Sequence, residues 1–184
     1  MHESLKFLGL LSIILAWVSL LFLFKVWGRD KNMSISKHAA AHKNAYVTMA
    51  LSESIFLPLY FIFIAFWFVP NFQLPNIFIV ITGISVLGTL LAAWIPDATG
   101  KRRSIHYLVA YPAYICMILS VLLIAVCQNV SNIAQIFSIL AFGYMVFGGI
   151  YLATHRNSKD NFLYIQVSFL ASIHLSVLAA TYIR

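Results

Sequence analysis

Apolar residues dominate this chain in long unbroken runs, and polar residues gather between them rather than alternating within them. Six runs reach the length of a membrane crossing: 7–27, 45–69, 76–95, 105–127, 130–153 and 161–183, with ends fixed only to about 2–4 residues by pattern alone. Lipid offers the backbone no hydrogen-bond partners, so runs of this length predict helices that satisfy their own peptide groups. The fold expected is all-α, a polytopic integral membrane protein forming a single six-transmembrane-helix bundle over 1–184. "VPNFQLPN" and "CQNVSN" are short uncharged turns suited to helical hairpins. The first run, "FLGLLSIILAWVSLLFLF", is too long for a signal-peptide core, and no small-residue cleavage site precedes Lys25, so it reads as a retained span. No internal repeat or low-complexity linker interrupts the pattern.

Composition reinforces this reading. The 184 residues are 62% hydrophobic and 9% charged, with a mean hydropathy of +0.91. A soluble domain of this size has too little interior to hide so much apolar surface. The net charge of +7 raises nucleic acid as a partner, but the basic residues lie between apolar runs instead of forming a face with interleaved aromatics, and that partner is rejected. Membrane lipids, including anionic headgroups at the basic loops, are the partners expected. The sequence leaves a homo-oligomer open.

Charge also orients the spans. Lys25, Arg29, Lys31, Lys37 and Lys43 flank the first connection, Lys101, Arg102 and Arg103 the third, and Arg156 and Lys159 the fifth; only Lys6 and Arg184 fall on the other side. The positive-inside rule then places loops one, three and five in the cytoplasm and both termini outside a cell membrane. Gly83, Gly88 and Ala92, with Gly149 and Ala153, offer surfaces for close helix approach. Pro58 and Pro112 are expected to bend their spans. Trp17, Trp27, Trp67 and Trp94 mostly fall toward span ends, as expected for interfacial anchors. Cys116 and Cys127 are roughly 16 Å apart along one helix, too far to bridge, and read as apolar fillers.

The chemistry lies in what remains polar. Of the five acids, Glu53 alone sits well inside a span, about 12 Å from its start. A charge at that depth costs on the order of 2.5–3.5 kcal/mol, so Glu53 is either protonated or turned toward a partner. Ser36 can cap an alanine-rich helix continuous with span two, placing His38, His42, Met49, Glu53 and Tyr60 on one narrow stripe that faces protein. Glu53 is expected to meet either a bound headgroup or a polar group of another span, the candidates being His106, Tyr107 or Tyr111 on span four and Gln166 on span six. His38 and His42 are a weak candidate metal pair, more simply two solvated histidines; no metal and no cofactor are expected.

A second cluster is "WIPDATGKRRSIHYLVAY", 94–111. Either proline and glycine make a turn anchored by basic residues, with Ser104 capping span four, or Asp97 orients His106 or pairs with an arginine such as Arg103. The motif of Pro96, Asp97, Gly100 and His106 resembles a family of small bacterial six-span membrane proteins grouped with the DRAM, Frag and Sfk types. That resemblance implies a membrane protein of unknown function and supplies no catalytic residues. His174 is the remaining ionisable group inside a span, expected as a neutral imidazole donating to a nearby carbonyl.

These residues set competing functions. The leading one is binding of a lipid or small solute in a polar pocket of the cytoplasmic half. Candidate ligand-binding residues are Glu53, Asp97, Arg103, His106, Tyr107, Tyr111 and His174, and no catalytic residue is assigned. A membrane-embedded lipid-active hydrolase is an alternative. Ser52, Asp97, His106 and His174 provide the residue types of seven-span zinc hydrolases, but the chain is one span short and lacks paired histidines on its last span. A small proton-coupled carrier is the other alternative. Phosphate loops, nucleophile elbows and HExxH are absent from the sequence, which favours a protein that is not an enzyme.

Overall fold

In the computed structural model the described residues are 3–95, 101–154 and 161–183. They form helices α1 (Ser4–Trp27), α2 (Ile35–Ala41), α3 (Lys43–Phe63), α4 (Val69–Phe72), α5 (Ile77–Trp94), α6 (Lys101–Ala125), α7 (Asn132–Thr154) and α8 (Phe162–Tyr182). A π-helical turn, Ile64–Phe68, joins α3 to α4, so that Lys43–Phe72 is one long span. Six of these segments are long and apolar enough to cross a membrane. The chain is an all-helical, multi-pass membrane protein, and each span lies within four residues of the limits its hydropathy predicts.

The spans pack in chain order around a ring. α1 lies on α3, α3 on α5, α5 on α6, α6 on α7 and α7 on α8, while α8 meets α1 only sparsely. Leu108, Leu140 and Phe147 point outward and are exposed, the distribution expected where lipid covers the outer face. Close approaches rest on small residues. A Cβ on Gly88 would stand 2.8 Å from both the Ala113 Cβ and the Val109 carbonyl, so α5 and α6 approach almost backbone to backbone.

The two ends of the ring differ. At the end that carries the chain termini, Phe63, Ile64, Trp67, Phe68 and Phe78 pack with Ile124, Val130 and Val177 into a dense plug. The π turn lies within it. Pro70 has no amide proton, and in a regular helix its ring would crowd the carbonyl of Phe66, four residues back; the wider turn relieves that conflict. Trp67 is buried here, stacked on Phe63 with ring centroids 5.6 Å apart, and Trp17 lies mid-span. Trp67, near a span end, is therefore a packing residue rather than the interfacial anchor expected there, and the Trp17 indole packs on His174.

At the opposite, basic end, loop one folds over the ring. Ser34, not Ser36, caps α2, its hydroxyl accepting the Lys37 amide at 3.2 Å. The helix expected to run unbroken into span two stops at His42, whose backbone is extended (φ −134°, ψ 127°). Packing explains the break. Ala39 of α2 and Ala45 of α3 are both buried against Leu23, Phe24 and Trp27 of α1, which requires two helices rather than one straight rod. Ser104 lies inside α6, three residues past Lys101, rather than capping it. Pro58 and Pro112 both lie within continuous helices.

Candidate functional site

The ring encloses a cavity of about 740 Å³, lined by all six spans and by Asn32 and residues 34–37 of loop one. This volume falls within the roughly 300–1,000 Å³ of small-ligand sites. Glu53, Arg103, His106, Tyr107, Tyr111 and His174 all line it. Asp97 lies outside the described residues, as do Pro96 and Gly100. Hydropathy could not have shown that residues from three separate spans converge on one space.

The polar lining forms two tiers. Nearer the basic end are Glu53, Arg103, His106 and Tyr107, with Lys37 of loop one. Seven residues further along α3, roughly 10 Å deeper, Tyr60 marks a second tier. Its ring lies 6.1 Å from that of His174, centroid to centroid. Thr82 belongs to this depth, because the neighbouring Gly83 stands over the Phe61 ring. Ser12 and Ser120 also face the cavity.

Side chains in the upper tier are held from outside. His106 donates from Nδ1 to the Ile95 carbonyl at 2.7 Å and lies 3.2 Å from that of Ala92, so it caps the C-terminal end of α5. Arg103 Nε donates to the Tyr107 hydroxyl at 3.1 Å, with the guanidinium over the Tyr107 ring. Gln166 Oε1 accepts the Ile35 amide at 2.9 Å. The expectation that one of these residues would satisfy Glu53 is therefore not met: Glu53 is buried, and its Oε2 has no hydrogen-bond partner among the described residues. His106 Nδ1 and Gln166 Oε1 are engaged by backbone groups, and Tyr111 is largely exposed.

His174 departs from expectation in the same way. Its Nδ1 donates to no carbonyl among the described residues, and the ring is instead held between Tyr60 and an edge-on contact with Trp17, 6.2 Å between centroids. The histidine pair of loop one is also revised. His38 is buried, with Nδ1 bonded to the Ser34 carbonyl at 3.1 Å and Nε2 accepting the Asp30 amide, whereas His42 is exposed. Both His38 nitrogens thus serve the loop backbone. Among the described residues no three His, Cys, Asp or Glu side chains converge.

The sequence reading missed the hydroxyl lining of α5. Thr82, Ser85 and Thr89 all face the cavity, and their spacing of three and then four residues puts them on one helical face. That spacing was the available signal. On α8, by contrast, Ser172 and Ser176 bond to carbonyls four residues back, at 2.8 and 2.9 Å, and so satisfy themselves locally.

No known protein family, no curated protein and no solved structure matches this chain.

Proposed function

We propose that this protein binds an amphiphile or small polar solute in its central cavity, reached from the basic end, which faces the cytoplasm. One observation carries the reading. Four buried side-chain polar atoms lack a hydrogen-bond partner among the described residues, and three of them, Glu53 Oε2, Thr82 Oγ1 and His174 Nδ1, belong to side chains that line this cavity. Each buried polar group left unsatisfied costs about 1–3 kcal/mol. Such groups persist where something else supplies their partners, and the cavity that these side chains line is large enough to hold a small ligand. The ten basic residues flanking loops one, three and five support the orientation.

Mass spectrometry of the chain released gently from detergent tests the proposal. A bound mass is expected on the native chain and is expected to be lost from Glu53→Leu and Thr82→Val. Finding the native chain bare, or finding the same mass retained by both variants, would defeat it.

A second reading, a proton-coupled carrier, has its own support. Glu53 and His174 place two ionisable groups at different depths of one cavity, and the aromatic plug closing its far end contains a π turn, a feature frequent at functional sites. A carrier must expose the cavity to both ends in turn, whereas a binding protein need not.

A further inference from the structure

The first and last spans are neighbours along only part of their length. Near the chain termini the Tyr182 hydroxyl donates to the Lys6 carbonyl at 3.5 Å, and the Lys6 ammonium stands 4.5 Å from the centre of the Tyr182 ring. Midway, Trp17 meets His174 edge-on. From there α1 continues for ten residues to Trp27, roughly 15 Å of rise. Over that stretch no hydrogen bond or ring contact among the described residues ties it to α8. What spans the gap is loop one, through the Leu163 amide to the Lys31 carbonyl at 3.0 Å and the Ile35 amide to Gln166 Oε1 at 2.9 Å.

A gap is thus framed below by Trp17 and His174 and above by loop one. Side chains of the two helices that flank it line the cavity: Ser19 and Leu20 on α1, and Gln166, Leu170 and Ile173 on α8. Its sides belong to membrane-spanning helices, so what lies outside it is bilayer rather than water. Its edges are mainly apolar, as a passage for hydrocarbon requires. At its upper end the cavity wall carries Lys37 and Arg103, two cations at the depth where a lipid headgroup sits.

Resting on the binding reading above, we infer that this gap is a lateral window through which an anionic bilayer lipid reaches the cavity. The headgroup lies between Lys37 and Arg103, and the acyl chain crosses between Leu20 and Leu170. Glu53, one turn or more below the two cations, faces the ester region. A water-soluble anion has no use for an opening onto hydrocarbon, so the window selects for the lipid source of that anionic group.

The test uses the full chain in phosphatidylcholine vesicles doped with a phosphatidylglycerol that carries a diazirine on its acyl chain next to the ester. After irradiation, adducts are mapped by peptide mass spectrometry. Adducts are expected on Glu53 inside the cavity as well as on the outward-facing Leu21 and Phe147, which are 62% and 75% exposed. Unlabelled phosphatidylglycerol in the vesicles should suppress the Glu53 adduct, while dissolved glycerol phosphate should not. Ser19→Trp and Leu170→Trp, each placing an indole in the gap, should abolish the Glu53 adduct and leave those on Leu21 and Phe147, which report insertion and folding. Lys37→Ala together with Arg103→Ala should remove the preference for this probe over a diazirine phosphatidylcholine. Native-chain adducts confined to outward residues, or Glu53 labelling unchanged in both tryptophan variants, would overturn the window. The binding reading fails separately, by a native chain that carries no bound mass at all.

Discussion

The Ile35 amide donates to Gln166 Oε1 at 2.9 Å, joining positions 131 residues apart. Ile35 is the first residue of α2, where a helix has amides without intrahelical partners. With the bond from Leu163 to Lys31, it binds loop one to the last span across the basic end of the ring. Loop one is therefore part of the cavity wall rather than a tether between spans.

Gln166→Leu should accordingly free the loop more than it destabilises the bundle. The orphaned amide is only half-buried and water can reach it, so the expected loss is about 0.5–1.5 kcal/mol. Amide exchange over residues 31–41 should accelerate while that of α5 and α6 stays unchanged. Gln166→Glu retains an acceptor and should restore slow exchange. Acceleration spread evenly over all spans would contradict a local tie.

Glu53 makes an unusual stability prediction because its Oε2 has no protein partner among the described residues. Truncating one member of a satisfied buried pair strands the other. Here Glu53→Leu strands nothing and removes an uncompensated polar group, so the ligand-free chain should be unchanged or more stable by about 1–3 kcal/mol. Chemical denaturation in mixed micelles measures this directly. A loss of that size would reveal a protein group bonded to the carboxyl. Glu53→Gln keeps shape and hydrogen-bonding capacity and should differ little from the native chain in stability.

Much of this architecture was legible in the sequence, and the reasons for the misses are physical. Span limits were readable because the bilayer imposes length and hydropathy on each segment separately. That Glu53 faces inward followed from the cost of presenting it to lipid. The break at His42 was not readable, since histidine is compatible with a helix and the cause lies in how Ala39 and Ala45 pack against α1. The role of His106 as a cap for α5 depends on two carbonyls, Ala92 and Ile95, brought to it by a neighbouring helix. Trp67 was misplaced because a position near a span end is not the same as a position on its outer face. Thr82 was overlooked because a threonine in a span can bond its own backbone, and only the packed structure shows that this one does not.

The α5–α6 contact should be the seam least tolerant of added bulk. Gly88→Val would drive its Cβ to within 2.8 Å of the Val109 carbonyl, a backbone atom that cannot move aside alone. Overpacking of this kind costs about 1–3 kcal/mol, and the valine's branches make the upper part of that range the expectation. Gly143 offers the control, since a Cβ there would meet nothing within 4 Å. Gly143→Ala should be neutral or slightly stabilising. Thermal unfolding of the two variants in the same detergent decides the matter, and equal behaviour would show that α5 and α6 can separate at little cost.

The plug makes the last prediction, because it determines from which side the cavity can be reached. Phe63, Trp67, Phe68 and Phe78 form a continuous aromatic layer at the end bearing the termini, with neighbouring rings 5.6–5.9 Å apart between centroids. Thr82 lines the cavity on the other side of that layer. A cysteine at position 82, in a chain with Cys116→Ser and Cys127→Ser, should therefore react with a membrane-impermeant thiol reagent added at the basic end and resist it from the terminal end. Ser138 is fully buried and does not line the cavity, so Ser138→Cys should resist from both. Trp67→Ala removes an indole from the middle of the layer and should make position 82 reactive from the terminal end too. If position 82 in the otherwise intact chain reacts from both ends, the plug opens spontaneously and the carrier reading gains over simple binding. If it reacts from neither, loop one seals the basic end, and Gln166→Leu, which loosens that loop, should then restore reactivity there.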